Sequence, residues 1–181
     1  MKIALILLSW LLSTGSALAY DVLQDDDDRP RLPEPEWHEG EVEIPEGYNP
    51  EDLQVFTPDG SDPRFQFFIE RGSLKTAEDG VTRYLLVIRS RQGAVNSSYE
   101  GMRCGRRLYK VYAYGDARRL TPISGGDWRP IPRGGSSDYH TRLYEDLLCS
   151  IQTGKPNPPG RIFRAMDTST RVEHRFFNDI Q

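Results

Sequence analysis

The sequence predicts an α+β domain: an antiparallel meander of about four strands, one main helix packed on it, and one disulfide. Three observations carry this. Runs of alternating apolar residues recur between positions 65 and 115, and Asp79-Gly80 and Gln92-Gly93 supply the tight reversals between them. The segment 135–156 instead spaces its apolar residues four apart, as a helix does. Cys104 and Cys149 are the only cysteines, an even count that reads as a bridge in an oxidising compartment.

The first element is a leader. Lys2, an apolar run from Ile3 to Leu12, and Ala17-Leu18-Ala19 form a secretory signal peptide over 1–19, cleaved before Tyr20. The run is about half the roughly 20 apolar residues of a membrane span, so no span is expected. No cysteine stands at the cleavage position to accept a lipid. The mature chain is expected to be exported and soluble.

Residues 20–60 form an acidic, proline-rich arm, with 14 Asp or Glu against Arg29 and Arg31. Such a segment buries too little apolar surface to offset its ordering entropy, so it is expected to be mostly extended or disordered. Trp37, Ile44 and Tyr48 are its expected contacts with the body. Residues 61–181 are one domain with the opposite balance, 20 Lys or Arg against 13 Asp or Glu. The arm reads either as a solvated spacer or as an acidic strap across the body, competing with an anionic partner.

Within the body, Phe65, Phe67 and Ile69 alternate with Gln66 and Glu70 as a half-buried strand. Residues 81–90 follow, with Tyr84, Leu86 and Ile88 on one face and Leu85 and Val87 on the other. A strand apolar on both sides is central or covered twice. AVNSSYEGMRC, 94–104, returns, and LYKVYAYGD, 108–116, is the fourth strand. The helix has Ser137 or Asp138 as N-cap, Tyr139, Leu143, Leu147 and Ile151 as its stripe, and Gly154 and Pro156 as its stop. Cys149 lies nearly opposite that stripe. Either the helix is buried on two sides, or it ends early and Cys149 belongs to the following turn.

The run DGVTRYLLVIRS, the segment NSSYEGMRC, then YKVYAYGD, Trp128 and Cys149 together resemble the cryptic neisserial protein family over roughly Trp37 to Cys149. The resemblance implies a short exported protein of a Gram-negative envelope, hence the periplasm. It brings no activity and no catalytic residue. It also implies that Asn96-Ser97-Ser98 is strand or turn chemistry rather than a glycosylation acceptor.

The chemistry of the remaining motifs is sparse. His38, His140 and His174 are not spaced for a metal, and nothing in the sequence calls for a cofactor. His140 reads as a satisfied core-edge residue. The best enzyme candidate is Glu100, gathered with Tyr99, Gly101 and Arg103, with Asp79 or Asp127 as its second carboxylate. The binding candidates are Arg83, Arg89, Arg103, Arg106, Arg107, Tyr109 and Tyr112, a basic and aromatic surface for an envelope protein or an anionic envelope component. Nucleic acid, the usual partner of Arg–aromatic strands, does not suit an exported chain. The expected function is a binding or accessory module, with an envelope-polymer hydrolase using Glu100 as the alternative.

Overall fold

The computed structural model describes residues 36–58, 61–116, 119–133 and 138–167. The expected signal peptide, the acidic run up to residue 35, the Ser137 cap and the C-terminal tail with His174 lie outside the described residues.

Eight strands form one antiparallel sheet: β1 (Leu53–Phe56), β2 (Phe65–Glu70), β3 (Lys75–Thr76), β4 (Thr82–Ser90), β5 (Val95–Arg103), β6 (Leu108–Gly115), β7 (Leu120–Pro122) and β8 (Arg129–Pro130). Their order is β1-β2-β4-β5-β6-β7, with β3 beside the start of β4 and β8 beside the start of β6. This overturns the expected four-strand meander carrying one main helix. The four strands missed by sequence are two to four residues long. So short a stretch has no period to read, and Pro122 and Pro130 mask two of them further.

The long strands follow their pattern. The β4–β5 ladder runs from Thr82↔Met102 to Arg89↔Val95, and its turn uses Gly93 at φ 88°, where a side chain would strain the backbone. Between β5 and β6 the register shifts at Tyr99/Glu100, leaving Tyr112 as an extra residue. The alternation of β6 therefore breaks, and Tyr112 and Ala113 pack into the same apolar cluster.

The expected helix is shorter than its apolar spacing suggests. Asp138 caps it by accepting from the His140 N–H, α1 covers Tyr139–Arg142, and Leu143–Leu148 continues as a widened π turn. The widening turns the adjacent residues Leu143, Tyr144, Leu147 and Leu148 all inward. Cys149 then adopts extended backbone and bridges to Pro156. Asn157 takes up two carbonyls that the ended helix leaves open, Nδ2 donating to Leu147 O and its backbone N–H to Leu148 O, both at 2.8 Å. Ile151, placed in the stripe by spacing, is 67% exposed.

Both faces of the sheet are covered. On one, Ile69, Tyr84, Leu86 and Met102 pack under Leu143, Leu148, and Ile162 and Met166 from a helical stretch at 159–167. On the other, Leu85, Val87, Tyr99 and Tyr112 pack under Val42, Ile44 and Tyr48 from the segment before β1. The Cys104–Cys149 disulfide joins the end of β5 to the end of the helical turn across 45 residues of sequence. Its reduction is expected to lower the free energy of unfolding by about 4 kcal/mol. Urea unfolding with and without reductant measures this as a drop in midpoint.

Candidate functional site

Glu100 sits on β5 with none of its surface exposed. Its carboxylate accepts hydrogen bonds from Tyr84 Oη at 2.9 Å and Ser98 Oγ at 2.6 Å, with Tyr139 Oη at 3.4 Å. His140 Nε2 lies 3.1 Å from Oε2, and His140 Nδ1 lies 3.3 Å from Asp138 Oδ1. The imidazole is itself stacked on Tyr109, ring centres 3.6 Å apart, with Tyr139 4.0 Å away on a tilted plane. Burial alone would raise the Glu100 pKa. The hydrogen bond and charge of His140, with the Ser98 and Tyr84 hydroxyls, outweigh it and hold the carboxyl below its ordinary value. Burial, then the Glu100 charge, pushes the Tyr84 and Tyr139 phenols up, so they remain donors.

The second carboxylate of this cluster is therefore Asp138, brought by the helix cap, rather than Asp79 or Asp127. Asp79 belongs elsewhere: it holds the buried Arg83 guanidinium at 2.6 Å and accepts from the Val81 and Gly40 N–H groups. Asp127 is exposed. A carboxylate with no exposed surface and three hydroxyls around it can store charge and fix the helix cap on the sheet. In this conformation it touches no solvent from which a substrate could approach.

The predicted binding residues divide among four places. Arg83 and Tyr112 are buried under the segment before β1, and Arg103 faces it, its guanidinium 3.7 Å from the Trp37 ring centre. Arg89 lies over Phe68 at 4.9 Å. Tyr109 points to the opposite face, against His140. Arg106 and Arg107 occupy the β5–β6 turn. Arg107 is a non-glycine residue in the left-handed region, φ 53°. It is held there by hydrogen bonds to Ile131 O and Pro132 O, an ion pair to Glu145 at 2.6 Å and the Tyr144 ring at 4.4 Å.

Around that turn lies an open groove of about 430 Å3, lined by Arg106, Arg107, Arg133, Tyr144, Glu145 and Ile151. Three guanidinium groups face one carboxylate there, beside an exposed apolar side chain. Arg133 was not singled out by sequence, since it stands between Pro132 and a glycine-rich stretch with no local pattern. A second concavity, of about 530 Å3, has the opposite charge, lined by Glu43, Glu46 and Glu70 with Lys75. Among the described residues no group of three or more His, Cys, Asp or Glu is placed to hold a metal ion.

One other residue escaped the sequence reading. Glu39 accepts from Lys110 Nζ at 2.8 Å and from Tyr112 Oη at 2.7 Å, across more than 70 residues of sequence. Tyr112 reaches it because Gly101 has no side chain: a Cβ there would stand 2.5 Å from the Tyr112 Oη. The available signal was the alternation of Trp37 and Glu39 with His38, which changes phase at Gly40-Glu41 and resumes as Val42 and Ile44 against Glu41 and Glu43.

Removing Glu100 with Ala strands His140 and three hydroxyls, and is expected to destabilise the fold by about 3–5 kcal/mol. Because the folded carboxyl titrates below its ordinary value, its contribution is complete at neutral pH. It is lost as the pH falls below the unfolded value and on through the folded one. Between pH 7 and pH 4 the urea midpoint of the wild type should therefore fall further than that of Glu100→Gln.

No curated protein and no solved structure matches this chain. A family profile does match, across residues 33–167, which include the segment before β1, the whole sheet, the disulfide and both helical stretches. The chain belongs to the CNP1-like family, whose members are uncharacterised.

Proposed function

We propose that this chain is a non-catalytic binding or accessory module of the periplasm that recognises an anionic partner, an envelope protein or envelope component, through a basic surface. The observation that carries the reading is the groove at the β5–β6 turn. Arg106, Arg107 and Arg133 line it, and Arg107 is fixed in place by two carbonyls and Glu145. A guanidinium held in advance loses little freedom when it meets a carboxylate or phosphate.

Export is supported by the leader-like N-terminus and by the Cys104–Cys149 bridge. Among the described residues no helix is long and apolar enough to cross a membrane. The hydrolase reading finds no such support, because its acid, Glu100, has no exposed surface.

The test is capture from periplasmic extract at low and high salt. The expected result is a specific set of retained species, released by salt, that Arg106→Glu with Arg133→Glu abolishes while the unfolding midpoint stays unchanged. Equal retention by the charge-reversed protein would overturn the reading.

A further inference from the structure

Residues 37–40 sit against the sheet as a ligand sits in a site. The Trp37 indole N–H donates to Asp79 O at 2.8 Å, and its ring lies under the Arg103 guanidinium at 3.7 Å and edge-on to Trp128 at 5.8 Å. Two residues on, the Glu39 carboxylate is divided between Lys110 Nζ and Tyr112 Oη. The Gly40 N–H then donates to the Asp79 carboxylate at 2.9 Å. An aromatic ring, a carboxylate and an extended backbone are each met by a dedicated group.

Three features make this occupant replaceable. Among the described residues, no backbone-to-backbone hydrogen bond ties 37–45 to the sheet; the first is Leu120 N to Glu46 O. The apolar cover is supplied downstream by Val42, Ile44 and Tyr48, so 37–40 can leave without baring Leu85, Val87 or Tyr99. The internal occupant also leaves a donor of the site unmet, since the Trp128 indole N–H is buried with no acceptor.

We propose that Arg103, Lys110, Tyr112, Trp128 and Asp79 form a peptide-binding site. It takes an extended partner segment bearing an aromatic side chain and, two residues later, a carboxylate, and Trp37–Gly40 is the internal occupant that the partner displaces. The site shares no residue with the Arg106–Arg133 groove, and the inference does not rest on the groove's ligand. An intramolecular occupant lowers the apparent affinity of a partner by the fraction of molecules in which it has left. The site is thereby closed to weak acidic segments and open to a better match.

The experiment uses the mature full-length chain, its Trp37→Ala/Glu39→Gln variant, and a labelled ten-residue peptide, PEPEWHEGEV, copied from residues 33–42. Fluorescence anisotropy is expected to show the variant binding the peptide at least about tenfold more tightly than the wild type. Adding Lys110→Glu should remove that binding, and Arg106→Glu/Arg133→Glu should leave it unchanged, which separates this site from the groove. A folded variant that shows no saturable binding overturns the proposal. So does equal binding of a control peptide with Ala and Gln at the aromatic and acidic positions. Should the variant not unfold cooperatively, the peptide is titrated onto the wild type and hydrogen exchange of the Gly40 amide is followed. Faster exchange supports displacement, and unchanged exchange at saturating peptide overturns it.

Discussion

Strand β4 carries Tyr84, Leu86 and Ile88 on one side and Leu85 and Val87 on the other, so neither face of the sheet around it can be left to water. Four of these, Tyr84, Leu85, Leu86 and Val87, are fully buried, and a large apolar side chain so buried is worth about 1.5–3 kcal/mol relative to exposure. The two covers are met by different means. The helical side is a packed layer pinned by a covalent bridge, the Asn157 cap and the His140–Glu100 contact. The other side is a single extended segment with no strand pairing of its own, held by alternate side chains and a few polar contacts. A thick, cross-linked cover and a thin, loosely tied one give the molecule a rigid side and a side from which chain can be exchanged.

The polar cluster at Glu100 follows from the same constraint. Placing a carboxylate in the layer between sheet and helix costs several kcal/mol of desolvation unless every lone pair is met. Here Tyr84, Ser98, Tyr139 and His140 meet it, and His140 is positioned by Asp138, the residue that also caps the helix. The cap, the imidazole and the carboxylate thus form one chain of contacts from solvent-facing helix start to sheet interior. An apolar residue at position 100 would pack a helix in many orientations. A carboxylate that must find an imidazole accepts very few.

The long strands were legible because β2, β4, β5 and β6 each offer six to nine residues of pattern, and the double apolar face of β4 announced a sheet covered twice. The edge strands were not, because two residues such as Lys75-Thr76 pair by position beside β4 rather than by composition. The helix was over-read at its end. Spacing counted Ile151 into the stripe, but the bridge to Cys104 stops the turn at Cys149 and the chain reverses toward Pro156. Glu100 was picked out for its neighbours in sequence, whereas its partners His140 and Asp138 lie about 40 residues away and carry no local sign of the pairing. The arginines were picked as a group, yet strand alternation and the β5–β6 turn distribute them to separate surfaces.

That distribution also explains how a chain of modest net charge, −4, presents strong local fields. The acids of the segment before β1 do not all face one way. Glu39 pairs with Lys110 within the contact, while Glu41, Glu43 and Glu46 stay exposed. At the β5–β6 turn the groove is lined by Arg106, Arg107 and Arg133, with Glu145 as the carboxylate among them. A buried guanidinium is expensive unless paired, and the buried Arg83 has the Asp79 carboxylate on both of its terminal nitrogens, while Arg106 and Arg133 stay at the surface. Burial cost thus separates the covered Arg83 from the exposed Arg106 and Arg133, and the groove is where those two meet Arg107.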